Sequence, residues 1–171
     1  ARILHLRGFR TWYYILGNEE KMTAETACQF KTVQYYQVPR ANNLDLNEYT
    51  TIVDAIFGVG LSRPVEGKYG EVISELNQAS AYKVAVDIPS GIDADTGFEK
   101  GVAFRADLTV TFAFRKRGLC FYPGRMYGGE IIVADIGIYS IPGERVRMHC
   151  LEQKDLEMLP ERIPYGNKGT F

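Results

Sequence analysis

Two acidic residues, Asp54 and Asp87, each stand towards the end of an apolar run that leads into a turn containing glycine and proline. The first leads into Gly58-Val59-Gly60-Leu61-Ser62-Arg63-Pro64, and the second opens Asp87-Ile88-Pro89-Ser90-Gly91-Ile92-Asp93. Glycines there let backbone approach a ligand closely or take positive φ, Arg63 can pair with a phosphate, and Pro64 stiffens the exit. Carboxylates at the ends of two neighbouring strands, about 4.8 Å apart, repel unless a cation lies between them or one keeps a proton. The pair therefore points to a cation site, an acid/base group, or both. Asp54, Ser90 and turn carbonyls are hard oxygen donors with no histidine or cysteine among them, which suits an alkali or alkaline-earth ion and not a soft metal. The plainer reading is that each aspartate caps its own turn as an Asx motif. Two such aspartates in one unit favour a functional site.

The elements that must position these residues can be read from the apolar pattern. Residues 51–57 are apolar on both faces except at Asp54, as expected of a central parallel strand covered by helices on both sides. Residues 71–79 place Val72, Ile73, Leu76 and Ala79 at helical spacing, and 84–88 form the next strand. Strand, helix and strand make a crossover, so the two strands are parallel neighbours and their carboxyl ends lie together. In such folds ligands bind outside those ends. An earlier strand is expected at Trp12–Leu16, a helix from Thr23 to Val33, and later strands at 108–113 and 130–138. The alternation predicts an α/β fold, a Rossmann-like three-layer αβα sandwich with a mostly parallel central sheet.

The remaining features narrow the classes. The chain has 171 residues, 46% of them hydrophobic and 24% charged, enough for one globular domain with a sizeable core. A net charge of −1 gives no general attraction to nucleic acid or anionic lipid. Three cysteines without metal-ligand spacing disfavour a disulfide framework and predict a reduced, cytoplasmic setting. No apolar run is long enough to span a bilayer, so no membrane partner is expected. Residues 1–8 read as the last turns of a helix closed by Gly8, with more chain before them. The glycine- and proline-rich end at 162–171 reads as a linker with more chain after it. The 11 tyrosines and 9 phenylalanines can supply core or an oligomer face, and a homo-oligomer is expected.

Val53-Asp-Ala-Ile-Phe-Gly-Val-Gly-Leu-Ser-Arg-Pro64 and Val86-Asp-Ile-Pro-Ser-Gly-Ile-Asp93 together resemble the YjeF N-terminal, or NAD(P)H-hydrate epimerase, family. Ala106-Asp-Leu-Thr-Val-Thr-Phe112, Lys116 with Gly118-Leu119, Tyr122-Pro-Gly124 and Gly129–Ile138 resemble the family's later strands in the same order. The resemblance covers 1–140 and leaves 141–171 as a linker. It implies metabolite repair: interconversion of the R and S epimers of hydrated NADH or NADPH, so that a dehydratase specific for the S form can restore the cofactor. It also implies a potassium ion held by Asp54 and Ser90, and a dinucleotide substrate contacted by Gly58, Val59, Gly60, Leu61, Ser62, Arg63, Pro64 and Asp87.

On that basis Asp87 is the expected acid/base at the hydrated ring carbon. Lys116, within Arg115-Lys116-Arg117, reads as a solvated residue and a weaker candidate. The family's glycine-rich Asn-Asn-Gly-Gly-Asp-Gly loop is absent from these residues, which weakens the expectation of activity for this segment alone. Tyr165-Gly-Asn-Lys-Gly-Thr-Phe171 resembles the opening of an ADP- or ATP-dependent NAD(P)H-hydrate dehydratase domain, implying a fused lyase. The alternative is a non-catalytic Rossmann-like binding or dimerisation module, which has no need of Asp54, Ser90 and Asp87 together.

Overall fold

The computed structural model describes residues 1–139, 148, 151 and 153–157. The chain divides into two compact units, Ala1–Ile138 and Tyr139–Phe171. The second unit contains a short helix, α4 (Gln153–Leu156). The linker and dehydratase-like expectations for 141–171 fall largely outside the described residues, and Tyr165–Phe171 wholly so.

The first unit is an α/β structure built on a four-stranded, all-parallel sheet in the order β1-β2-β3-β4. Its elements are α1 (Arg2–Leu6), α2 (Ala24–Tyr35), β1 (Thr51–Asp54), α3 (Gly67–Gln78), β2 (Tyr82–Val86), β3 (Leu108–Phe112) and β4 (Glu130–Ala134). The β1-α3-β2 crossover makes β1 and β2 parallel neighbours, with Asp54 opposite Ala85. Gly8, with φ +85, follows α1 in the left-handed conformation that glycine adopts without strain. The Thr23 hydroxyl accepts the Thr26 N–H and so caps α2.

One face of the sheet carries the core. Ile73 and Leu76 of α3 pack with Val65, Ala85, Phe104 and Ala106, joined by half-buried Ile52 and Phe57. A second cluster of Ile88, Ile92, Ala103, Leu119 and Tyr127 lies under the turn that follows β2. The strand β3 reverses the usual use of an alternating pattern: its threonines, Thr109 and Thr111, are fully buried while Leu108, Val110 and Phe112 are only half so. Burying these hydroxyls is tolerated because each has a partner, Gly128 O at 2.7 Å for Thr109 and Asp87 Oδ1 at 3.2 Å for Thr111.

Several expectations need correction. Trp12–Leu16 is not a strand; Tyr13 makes a single parallel bridge to Arg40, and the facing Pro39 has no N–H with which to extend a ladder. The first strand of the crossover ends at Asp54 instead of 57, because the Ile56 and Phe57 N–H groups are taken by the Asp54 carboxylate and the Ser90 hydroxyl. Nor is that strand central and covered on both sides: β1 is at the sheet edge among the described strands, and Val53 is 51% exposed. The helix starts four residues earlier than the pattern suggested, at Gly67, and the last strand stops at Ala134.

Candidate active site at the carboxyl ends of the strands

Two polar clusters form where β1 and β2 end. Asp54 faces the same side of the sheet as Ala85 and Thr109, its partners in register, and is 1% exposed. Its Oδ2 accepts the Ser90 N–H at 2.8 Å, and its Oδ1 accepts the Ser90 hydroxyl at 2.7 Å and the Ile56 N–H at 3.1 Å. Burial pushes the Asp54 carboxyl above its ordinary range, against the pull of those three donors. Ser90 Oγ in turn accepts the Phe57 N–H at 2.9 Å and lies 3.3 Å from Phe57 O. A hydroxyl has one proton, and the shorter contact to Asp54 takes it, so Phe57 O keeps its acceptor capacity. The plain Asx reading holds here in part, since Asp54 does cap Ile56, but Ser90 adds a long-range partner to it.

Asp87 belongs to a different cluster. The backbone there is left-handed, φ +69 in a residue with a side chain, which costs about 1–2 kcal/mol and turns the chain out of β2. Asp87 does not cap its own turn: Oδ1 accepts from Thr111 Oγ1 and the Phe112 N–H, at 3.2 and 3.0 Å, and from Lys116 Nζ. Lys116 Nζ also donates to Phe112 O at 2.8 Å. Lys116 is therefore not a solvated member of a basic run; its side chain is four-fifths buried and its ammonium is paired with Asp87. Partial burial alone would raise the Asp87 carboxyl, but the Lys116 hydrogen bond, the Phe112 N–H and the Lys116 charge outweigh it and hold the group below its ordinary range.

Between β1 and α3 the chain forms an open cavity of about 380 Å³ lined by Ile56, Phe57, Gly58, Gly60, Leu61, Ser62 and Arg63. Five of the loop residues singled out in the sequence thus line one space; Val59, Pro64 and Asp87 are not part of the lining. Neither Gly58 nor Gly60 has positive φ, and a Cβ at either would meet nothing within 4 Å. Their value is open space beside the backbone, the condition for close approach of a ligand. Gly91 is different: at φ +94 its Cβ would lie 2.2 Å from Val102 O, so the turn that carries Ser90 can be packed only with glycine.

Thr111, Phe57 and the Lys116 pairing were not visible as site features in the sequence. A lysine four residues beyond a strand end has no signature, and the threonines of an alternating strand ordinarily read as its outer face. Among the described residues no group of three or more His, Cys, Asp or Glu gathers as for a metal. The oxygens that do converge near Asp54 are those of a hydroxyl and a carbonyl. No helix among the described residues is long and apolar enough to cross a membrane.

The sequence and the fold have counterparts. The family model for the YjeF-related protein N-terminus matches residues 1–118. A protein of Levilactobacillus brevis named NAD(P)H-hydrate epimerase is 49% identical over 143 residues, 82% of this chain and 66% of that relative. Proteins of the same name from Limosilactobacillus reuteri and Oenococcus oeni are 45% and 44% identical, each over 82% of the chain and 68% and 67% of their own lengths. The chain thus spans about two thirds of the length of these relatives. The crystal structure of yeast ynu0, YNL200c, shares the fold, with a TM-score of 0.62, 21% identity, and 79% of this chain and 57% of that one covered. With a family model matched over more than half of its length and relatives well above 30% identity, the chain belongs to the family of YjeF-related protein N-termini.

Proposed function

We propose that this protein epimerises hydrated NADH or NADPH, interconverting the R and S forms at the hydrated ring carbon as a step of metabolite repair. The observation that carries this reading is the 44–49% identity to proteins named for that activity over 82% of the chain. In a chain of 171 residues, a match of that length has to include everything from Asp54 to Lys116. The dinucleotide occupies the cavity of the 58–64 loop, with Arg63 available to its phosphates.

Asp87 and Lys116 move the protons. Held ionised, Asp87 is the acceptor, and the Lys116 ammonium against it is the nearby donor. When the ring hydroxyl leaves as water it takes a proton from this pair, and the ring nitrogen's lone pair closes a C=N bond. When water adds to the opposite face, the pair takes a proton back and the centre is inverted. Positioned acid/base groups contribute roughly 10²- to 10⁴-fold to such a step.

A potassium ion suits the Asp54 cluster. Asp54 is a buried carboxylate with no Lys, Arg or His salt bridge among the described residues, and Ser90 Oγ and Phe57 O stand beside it as further hard oxygens. Asp54, Ser90 and the Phe57 carbonyl would hold the ion. Bound there, it would supply positive charge against the buried carboxylate.

The test is chromatographic separation of R- and S-NADPH hydrate after incubation of either pure epimer with the protein, in potassium or tetramethylammonium chloride. Asp87→Asn should slow interconversion at least about 10²-fold with unchanged circular dichroism. Equal rates in the two proteins would exclude Asp87 from the chemistry. Equal rates in the two salts would exclude the ion.

A further inference from the structure

Lys100 is not part of either polar cluster, yet it contacts both the loop that lines the cavity and the turn that carries Ser90. Its Nζ donates to Leu61 O at 3.0 Å and pairs with Asp93 Oδ2 at 2.8 Å. Its backbone does the same: the Lys100 N–H donates to Gly91 O at 2.7 Å, and Lys100 O accepts the Val65 N–H at 2.8 Å. One residue thus touches the middle and the exit of the 58–65 segment, and both Gly91 and Asp93 of the turn that presents Ser90.

Asp93 is built to receive it. Oδ1 is occupied by the Asp95 N–H at 3.0 Å and by the Thr96 N–H and hydroxyl, both at 2.8 Å, which fixes the carboxylate and aims Oδ2 at Lys100. The lysine hydrogen bond and these donors hold the Asp93 carboxyl well below its usual range, so the pair stays charged. The loop itself is exposed at Gly58, Val59, Gly60, Ser62, Arg63 and Pro64, and its own backbone bond is the Leu61 N–H to Gly58 O at 3.2 Å. The half-buried Leu61 carbonyl is where the lysine takes hold.

We propose that Lys100 is a positioning residue, a latch that fastens the cavity loop to the turn carrying Ser90 and thereby sets how tightly the dinucleotide is held. This rests on the assignment of that cavity to the substrate. A loop already ordered loses less conformational entropy when it closes on a ligand, so the latch acts on binding and not on the chemical step.

Two measurements on the 171-residue chain separate the latch from the assignment. Hydrogen–deuterium exchange of the 58–63 amides without ligand should be faster in Lys100→Met and in Asp93→Asn, and return toward the parent rate in Lys100→Arg. With NADPH hydrate, Lys100→Met should raise KM about tenfold and leave kcat within about twofold, again restored by arginine. Unchanged exchange in both variants would overturn the latch. Faster exchange with unchanged KM would overturn its role in substrate binding. A parent chain that orders its loop through Lys100 but does not bind NADPH hydrate would instead sink the assignment of the cavity. Should Lys100→Met fail to fold, Asp93→Asn and Lys100→Arg decide the same points.

Discussion

Ser90 donates twice to Asp54, its N–H to Oδ2 at 2.8 Å and its hydroxyl to Oδ1 at 2.7 Å, although 36 residues and a helix separate the two in the chain. The same hydroxyl accepts the Phe57 N–H, so one side chain links the end of β1, the start of the cavity loop and the turn after β2.

Ser90→Ala breaks that link and leaves the Phe57 N–H without the hydroxyl it donates to. A partly buried donor or acceptor stripped of its partner costs about 1–3 kcal/mol, and a loss in that range is expected from urea unfolding at neutral pH. A change under about 0.5 kcal/mol would mean that the linkage is not structural.

Lys116→Met should move the acid side of the pH–rate profile to higher pH and lower kcat. Asp87 is depressed in the folded protein, so its stabilising effect is fully present above the unfolded value near 4 and is lost as pH falls through the lower folded value. Without the ammonium the folded value rises, protonation begins at higher pH, and the acceptor is lost earlier. Acid unfolding of the variant should show correspondingly less dependence on pH below about 4. An acid limb that stays in place would show that Asp87 does not govern it.

Gly91→Ala and Gly60→Ala should part sharply. At Gly91 both the left-handed backbone and the 2.2 Å approach to Val102 O oppose a methyl group, and a loss of about 3 kcal/mol or more is expected. At Gly60, with open space and no positive φ, the fold should tolerate alanine within about 1 kcal/mol. The methyl group would narrow the cavity and raise KM for NADPH hydrate. Thermal unfolding of the two variants side by side measures the contrast.

The two sheet faces should also differ. Ile73, 0% exposed, should lose about 2–5 kcal/mol on truncation to alanine, whereas Val53, 51% exposed, should lose less than about 1. Denaturant midpoints of Ile73→Ala and Val53→Ala read this directly, and equal losses would show that the Val53 face is covered in solution.

The main elements were legible because they rest on local pattern. The helical stripe of Val72, Ile73 and Leu76 and the apolar runs on either side of it determine a parallel crossover, and topology then brings Asp54 and Asp87 to the same ends of the strands. Boundaries were less legible where a side chain took a backbone donor. Nothing local announces that Asp54 and Ser90 will claim the Ile56 and Phe57 amides and end β1 at residue 54. Tyr13 shows the converse: an apolar run reads as a strand, but a strand needs a neighbour able to donate, and Pro39 cannot.

By itself, then, the sequence determined the α/β class, the crossover, the two acidic strand ends and the family, because these follow from periodicity and contiguous motifs. Only the tertiary structure decided the partners. Lys116 was placed against Asp87 across the β2–β3 boundary, Thr109 and Thr111 were turned inward, and Lys100 was stretched from Asp93 to Leu61. Hydrogen bonds and ion pairs act over about 3 Å in space and carry no period along the chain, so residues 29 or 39 positions apart become partners only when the sheet is assembled.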